Sequence, residues 1–191
     1  MKQDKLIEDL KRGDPGSLES LFSVYKDRVF NTAVSYLQNI QDAEELTQDV
    51  FIEIFNSAEK FKGDSSLSTW IYRITVNKAL DKLKFNKRRK RFAVITSIFK
   101  PDSAELAIDT PDFIHPGTEM ELKERSQLLF KALNELPENQ KTAFILSKLE
   151  SLSQKEISAI MKVSVSSVES LIFRARQGLK SILNEKYDDL H

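Results

Sequence analysis

The sequence predicts an all-α protein of two small helical domains joined by a flexible linker, with a helix-turn-helix in the C-terminal domain. Apolar residues recur at three- and four-residue spacing through most of the 191 residues, as amphipathic helices require. The five glycines and five prolines lie mostly between these periodic segments. Residues 92–118 break the periodicity and hold three of the five prolines. We therefore predict helical domains over 1–91 and 119–191, with 92–118 as the linker.

The composition excludes several classes of protein. Because there is no cysteine, disulfides, thiolate metal sites and cysteine nucleophiles are ruled out. With only two histidines and no nucleophile–base pair, we expect no metal, no cofactor, no small-molecule substrate and no enzymatic activity. The charged N-terminus is unlike a signal peptide and no run of about 18 apolar residues occurs, so we expect a cytoplasmic protein without membrane insertion. The net charge is zero, so any nucleic-acid binding must depend on local patches.

Three helices are expected to open the N-terminal domain. The first covers about 3–12 and ends at Gly13, and Asp14 can cap the second. Asp42 and Glu45 form a capping pattern at the start of the third helix. The apolar stripes of these helices predict a compact helical bundle, and the stripes themselves indicate no catalytic or ligand-binding residues.

A long helix over 67–91 is the most informative N-terminal segment. Six polar or aromatic residues share one stripe of it: Trp70, Arg73, Asn77, Asp81, Lys84 and Arg88. The helix ends in six cations within eight residues: Lys84, Lys87, Arg88, Arg89, Lys90 and Arg91. This run can neutralise several phosphates, or it is a solvated helix end that complements the helix dipole. Six cations exceed what the dipole needs, which favours nucleic-acid contact, whereas Trp70 fits either the core or an exposed stacking surface.

Residues 152–180 have the pattern of a helix-turn-helix. Ser153 and Glu156 form a capping box at its first helix, and Ser164 can cap the second. Opposite its apolar face, the second helix carries Ser166, Glu169, Ser170, Phe173, Arg174 and Gln177. Such a helix can enter the major groove and read base edges. An ordinary αα-hairpin fits this stretch equally well, but four helices that end in this motif favour a DNA-binding domain.

Two sets of motifs resemble the sigma factors of bacterial RNA polymerase, in particular the two-domain extracytoplasmic-function (ECF) type. DAEELTQDVFIEIF is similar to the helix that grips the clamp helices of the polymerase, and FKGDSSLSTWIYRITVNKALDKLK to the loop and helix that recognise the minus-ten promoter element. LPENQKTAFILSKLESLSQKEISAIMKVSVSSVESLIFRARQGLK is similar to the domain that reads the minus-thirty-five element. The resemblance implies a non-enzymatic subunit that binds core polymerase and promoter DNA and directs transcription initiation. It also implies an anti-sigma factor as a partner.

The resemblance implies three sets of contact residues. Polymerase binding would fall on Glu45, Gln48, Asp49 and Phe51. A loop that captures a flipped base of the non-template strand would comprise Phe61, Lys62, Gly63, Asp64, Ser65 and Ser66. Asn77 and Asp81 would approach minus-ten bases, and the other contacts of this domain would be Trp70, Arg73, Lys78, Lys84, Lys87, Arg88, Arg89, Lys90 and Arg91. The helix-turn-helix contacts would be Ser164, Ser166, Ser167, Ser170, Phe173, Arg174, Arg176 and Gln177.

Two residues depart from the family pattern. Lys162 stands near the turn position where the family usually has glycine, and a positive φ there costs a non-glycine residue about 1 kcal/mol. Glu169 stands where the family often has lysine or arginine. A carboxylate near phosphates is unfavourable, although it can accept a hydrogen bond from cytosine N4.

Two other function classes remain open. A stand-alone helix-turn-helix regulator would bind DNA without joining the polymerase, but it would leave the basic helix and the clamp-like helix unexplained. A sigma mimic would bind only the anti-sigma factor, and such a protein should lack the basic run.

Overall fold

The computed structural model describes residues 2–99 and 120–188, and within them the side chains of 5–14, 16–89 and 126–185. Over these ranges the chain forms α-helices and one turn of 3₁₀ helix without a strand, which confirms the predicted all-α class. The helices are α1 Lys2–Lys11, α2 Pro15–Leu37, α3 Ile40–Ser57, α4 Leu67–Phe99, α5 Met120–Glu135, α6 Glu138–Lys148, α7 Gln154–Met161 and α8 Val165–Asp188. The 3₁₀ turn Ala58–Lys60 follows α3.

Side-chain caps set the starts of the N-terminal helices. Asp14 caps α2 as predicted, because its carboxylate accepts a hydrogen bond from the backbone N–H of Ser17 at 2.9 Å. The third helix begins at Ile40 rather than at Asp42, where the capping pattern had placed its start. The reason is Asn39, whose side-chain oxygen accepts the N–H of Asp42 at 2.9 Å and so caps the helix earlier.

Helix α4 runs to Phe99, eight residues beyond the predicted end at Arg91. No proline or glycine lies between Arg91 and Phe99, and the first proline afterwards is Pro101. The loss of apolar periodicity therefore did not mark the end of the helix. Residues 100–119, most of the predicted linker, lie outside the described part of the chain.

The helix-turn-helix forms from α7 and α8 as predicted. Ser153 and Glu156 make a complete capping box: the Glu156 carboxylate accepts the N–H of Ser153 at 2.8 Å, and the Ser153 hydroxyl accepts the N–H of Glu156 at 3.3 Å. Lys162 ends α7 in the left-handed conformation, with φ 57° and ψ 43°. The turn thus keeps the geometry that glycine normally supplies, with a lysine in its place.

Replacing Lys162 with glycine will raise the free energy of unfolding by about 0.5–1 kcal/mol. Glycine removes the Cβ clash at positive φ, while its greater freedom in the unfolded chain offsets part of the gain. Urea denaturation followed by circular dichroism measures the change. Lys155→Gly, inside α7, is the matched control and should lower the free energy of unfolding by about 1 kcal/mol. Equal destabilisation by both substitutions would contradict the prediction.

The N-terminal and C-terminal helices share one apolar core. Buried residues of α2, α3 and α4 form a single cluster with buried residues of α6, α7 and α8, and helices α4 and α7 are in contact. The cluster extends from Leu10 through Tyr36 and Val76 to Leu146 and Ile172. A smaller second cluster joins α5 to the later part of α8. The two predicted domains are therefore packed against each other, which the sequence did not indicate.

Lys141 lies at the centre of the polar part of this contact. It is only 6% exposed, and its Nζ donates to the backbone carbonyl of Tyr36 at 3.3 Å and to Asn134 Oδ1 at 2.7 Å. Asn134 in turn donates to Gln38 Oε1 at 2.8 Å. Burial, and to a lesser extent the charge of Lys87, lowers the pKa of Lys141 to about 8.

Raising the pH from about 7 to about 10 will increase the free energy of unfolding by roughly 2 kcal/mol through Lys141. Above pH 8 the folded chain loses this proton, whereas the unfolded chain keeps it to about pH 10.4. The unfolded chain then binds more protons, so stability rises with pH. Burial raises the pKa of Tyr36, and it raises the pKa of Tyr72 to about 12, so stability falls again above about pH 10.

Urea denaturation at several pH values measures this dependence. Lys141→Met should abolish the rise below pH 10, since a neutral side chain of similar length replaces the lysine. Lys131→Met, at an exposed position of α5, is the control and should leave the rise intact. A rise that persists in Lys141→Met would assign it to another group.

Candidate nucleic-acid interface

The second helix of the helix-turn-helix presents a continuous polar face. Ser166, Ser170, Phe173, Arg174, Arg176 and Gln177 are exposed, and Ser167 is half-buried. Ser164 caps the helix as predicted, because its hydroxyl accepts the N–H of Ser167 at 3.1 Å. Phe173 is 63% exposed, the largest such fraction among the exposed large apolar residues of the described part. An aromatic ring left in water at this point is available to cover an apolar base edge.

Arg174 is held in place on this face. Its Nε donates to the backbone carbonyl of Ser170 at 3.2 Å, and the Ser170 hydroxyl donates to the carbonyl of Ser166 at 3.0 Å. Among the described residues, no hydrogen bond or ion pair engages the terminal guanidinium nitrogens, which are therefore available to a guanine edge or a phosphate. Glu169 lines the same shallow depression as Ser170, Phe173 and Arg174. An acidic and a basic group thus lie side by side on the face predicted to read bases.

Helix α4 exposes most of its predicted DNA contacts. Asn77, Asp81, Lys84, Lys87, Arg88 and Arg89 are all exposed. Lys78 is half-buried, and its Nζ lies 3.7 Å from Oε2 of Glu53 in α3. The Nζ of Lys84 lies 3.4 Å from Oε1 of Glu138 in α6. The side chains of Lys90 and Arg91 are outside the described part of the chain. In the described part, Lys87, Arg88 and Arg89 form no ion pair and remain available to phosphates.

The predicted base-capturing loop has one buried residue and an exposed remainder. Phe61 is buried, and its ring centroid lies 4.9 Å from that of Trp70, which is half-buried. Lys62, Gly63, Asp64 and Ser66 are exposed, and Ser65 is half-buried. Gly63 has φ 80°, a conformation that side chains disfavour. The aromatic pair fixes the base of the loop while its tip stays open, so Trp70 serves both core packing and the surface.

The outer face of α3 carries three of the four residues expected to bind polymerase. Glu45, Gln48 and Asp49 are exposed, and Glu45 accepts a hydrogen bond from Lys82 Nζ at 2.8 Å. Phe51 instead lies in the core, with its ring centroid 4.8 Å from that of Phe22. Its place in the structure is to pack α3 onto α2.

Two exposed apolar residues, Ile52 and Phe85, lie on the surfaces predicted to make contacts but were not among the predicted contact residues. Ile52 is 58% exposed on the face of α3 that carries Gln48 and Asp49, and Phe85 is 59% exposed within the basic run of α4. Both fall outside the apolar stripe of their helix, and this signal could have identified them. Ile52 adds apolar area to the exposed face of α3, and Phe85 adds it to the basic surface of α4.

No helix in the described part of the chain combines the length and the hydropathy that a membrane span requires. No group of three or more metal-ligating side chains lies together within the same residues.

Two family models match the chain, one within each of the two domains predicted from the sequence. The Sigma-70 region 2 model matches residues 21–89, and the Sigma-70 region 4 model matches residues 126–179. Curated relatives match nearly the whole chain. The RNA polymerase sigma-H factor of Pseudomonas aeruginosa is 30% identical over 95% of this chain and 94% of its own length. The ECF RNA polymerase sigma-E factor of Haemophilus influenzae is 34% identical over 92% of each chain.

Solved structures share the fold. CnrH, in complex with the cytosolic domain of CnrY, has a TM-score of 0.67 at 19% identity and covers 96% of this chain and 97% of its own. The sigma factor RpoE of Bartonella quintana, in complex with the anti-sigma factor NepR, has a TM-score of 0.60 at 23% identity and covers 87% of this chain and 96% of its own. The described helices, the two family models and the near-full-length relatives agree, and the chain belongs to the ECF family of RNA polymerase sigma factors.

Proposed function

We propose that this chain, a non-enzymatic initiation factor that binds core RNA polymerase and promoter DNA, divides its contacts among three helices. In this proposal α3 contacts polymerase, the loop 61–66 and α4 read the minus-ten element, and α8 reads the minus-thirty-five element. We assign the two DNA elements to residues 1–91 and 119–191, with 92–118 between them. The observation that supports the proposal most is the exposed face of α8, where Phe173 and Arg174 lie beside capped, ordered serines.

The chemistry of this face suits base reading. The guanidinium of Arg174 can donate two parallel hydrogen bonds to guanine O6 and N7, and the ring of Phe173 can contact a thymine methyl. The hydroxyls of Ser166 and Ser170 can donate hydrogen bonds to base acceptors or accept them from base donors. The Glu169 carboxylate can accept a hydrogen bond from cytosine N4. This acidic residue would therefore select a base and would not bind the phosphate backbone.

The minus-ten surface combines anchoring with base capture. Lys87, Arg88 and Arg89 can hold the phosphate backbone without regard to sequence. Asn77 and Asp81 lie one helical turn apart on the exposed side of the same helix and can approach bases. The exposed tip of the loop at Lys62 and Asp64 can receive an unstacked base, at a cost of a few kcal/mol for unstacking.

The polymerase surface is the exposed face of α3. Gln48 and Asp49 supply polar groups there, and Ile52 supplies apolar area. Exposed apolar residues bordered by polar ones are typical of protein–protein contact sites. We also propose that the chain acts in the cytoplasm and that an anti-sigma factor regulates it, by analogy with the complex of RpoE with NepR.

Run-off transcription with core polymerase tests the division of roles. Asp49→Ala should weaken core binding and lower transcription from every promoter by roughly 10-fold, equivalent to about 1.4 kcal/mol. Arg174→Ala should instead change preference at single minus-thirty-five positions by about 1–3 kcal/mol. Asp27→Ala, an exposed acidic residue of α2, is the matched control for Asp49 and should have no effect.

The same assay decides between the remaining classes. A stand-alone regulator would bind promoter fragments but would neither bind core polymerase nor start transcription. A sigma mimic would bind an anti-sigma factor and would not bind DNA. A chain that binds neither core polymerase nor any promoter in a genomic pool would defeat the proposed function.

A further inference from the structure

We propose that a cleft of this chain binds a small organic phosphate of about the size of a mononucleotide. The cleft is lined by residues of α2, α3, α4, α5 and α6 and has a volume of about 340 Å³. Lys141 lies at its buried side, and Lys87 and Arg89 lie at its exposed side. The site does not rest on the proposed function, because its test uses the free chain without DNA or polymerase.

The ammonium of Lys141 is buried without a compensating negative charge. Its Nζ donates to the backbone carbonyl of Tyr36 and to Asn134 Oδ1, and it lies 5.7 Å from the centre of the Tyr36 ring. These partners are all neutral, and no carboxylate of the described residues forms an ion pair with Lys141. A buried cation with neutral partners is costly, and an anion in the cleft would offset that cost.

Positive charge exceeds negative charge in the lining of the cleft. The charged lining residues are four cations and two carboxylates: Lys84, Lys87, Arg89, Lys141, Asp42 and Glu138. Each carboxylate already faces a cation, since Asp42 Oδ1 lies 3.5 Å from Lys82 Nζ and Glu138 Oε1 lies 3.4 Å from Lys84 Nζ. The two carboxylates therefore leave the other cations of the cleft uncompensated.

Three of these cations are available to an anionic ligand. Lys87 and Arg89 form no ion pair in the described part of the chain, and Lys141 contacts only neutral groups. The charge of Lys87 contributes, after burial, to the lowered pKa of Lys141, so these two cations are close enough to act on one anion. A guanidinium can bind two phosphate oxygens at once, and the ammonium groups bind as point charges. The set suits a phosphate group, which carries a charge of about −1.5 to −2 near pH 7.

The rest of the cleft suits an organic group attached to that phosphate. Its apolar lining includes four leucines: Leu37, Leu80, Leu83 and Leu136. Two asparagines beside them keep polar atoms without a hydrogen-bond partner among the described residues, namely Nδ2 of Asn39 and Oδ1 of Asn86. A free donor and a free acceptor next to apolar surface can bind the polar edge and the face of a base. The volume lies near the lower end of the range for ligand pockets, which favours a mononucleotide over a larger cofactor.

Isothermal titration calorimetry of the free full chain tests this site. The probes are the four nucleoside monophosphates, inorganic phosphate and the four uncharged nucleosides. We expect at least one monophosphate to bind with a dissociation constant below about 1 mM, and roughly 10-fold more tightly than phosphate or its own nucleoside. The proposal is overturned if no monophosphate binds at about 1 mM, or if inorganic phosphate binds as tightly as the nucleotides.

Two neighbouring arginines of α4 provide a matched pair of variants. Arg88 and Arg89 are both exposed and unpaired in the described part of the chain, but only Arg89 lines the cleft. Arg89→Gln should weaken nucleotide binding roughly 10-fold, whereas Arg88→Gln should leave it unchanged. Equal losses from both variants would assign the binding to general positive charge and overturn the site. A loss from Arg174→Ala would place the nucleotide on α8, with the same consequence.

The buried cation has a test of its own. Lys141→Met should weaken nucleotide binding at least 10-fold, and Lys131→Met, at an exposed position of α5, should not. Circular dichroism and urea denaturation establish that both variants fold. Undiminished binding by a folded Lys141→Met would overturn the role of this ammonium. If Lys141→Met did not fold, the comparison of Arg88→Gln with Arg89→Gln, at exposed positions, would still decide the site.

Discussion

Replacing Lys87, Arg88 and Arg89 with glutamine will lower the affinity of the polymerase complex for promoter DNA by roughly 10- to 100-fold at about 0.15 M salt. These three cations are exposed on α4 and form no ion pair in the described part of the chain. Each phosphate contact that is lost removes the release of condensed counterions that accompanied it. The slope of log affinity against log salt should therefore become less steep by about 0.9 for each contact.

Binding measured at several salt concentrations distinguishes this effect from a change in sequence reading. The loss should be the same for matched and mismatched promoters, because phosphate contacts carry no sequence information. Lys5, Lys11 and Lys26, replaced together with glutamine, give the same change in net charge on the exposed surfaces of α1 and α2 and should leave the slope unchanged. A loss confined to one promoter sequence would instead assign Lys87, Arg88 and Arg89 to base reading.

Replacing Leu146 with alanine will lower the free energy of unfolding by about 2–5 kcal/mol. Leu146 is fully buried in α6 and belongs to the apolar core that both domains share. The substitution leaves a cavity that the surrounding helices can only partly fill. Because the cluster joins the two predicted domains, the loss should also weaken the packing of one against the other.

Leu149, at the end of the same helix, provides the matched control. It is 39% exposed, so Leu149→Ala removes little buried area and should cost less than about 1 kcal/mol. Urea denaturation of both variants under one set of conditions gives the comparison. Equal losses at the two positions would contradict the burial of Leu146.

The local features of this chain could be predicted because short-range chemistry fixes them. Asp14 and Ser153 begin helices with side-chain hydrogen bonds to residues three positions away. Lys162 in place of the usual glycine suggested a slightly different turn, but the structure keeps the left-handed conformation there. Two helix ends were predicted wrongly. Asn39 caps α3 ahead of Asp42, and α4 continues beyond the point where its apolar periodicity is lost.

The chemical faces of the helices were only partly predictable. Exposed charge on α4 and α8 follows from periodicity, and the structure places Asn77, Arg88 and Arg174 on the surface as expected. Phe51 and Phe61 are buried, and Ile52 and Phe85 are exposed, because neighbouring helices decide which apolar residues are covered. Periodicity identifies which face of a helix is the most apolar, but it does not show how much of that face, or of the adjacent ones, a neighbouring helix covers.

The sequence by itself determined the helical class and the family, and it proposed which helices carry promoter contacts, because periodicity, helix caps and the order of the motifs can all be recognised from neighbouring residues. Only the tertiary structure decided that the two domains pack on each other, and that Arg73 and Lys84 face Ala159 and Glu138. These residues are about 50 or more positions apart in sequence. Whether residues so far apart in sequence come into contact depends on how the apolar faces of entire helices pack together. A local sequence pattern does not contain that information.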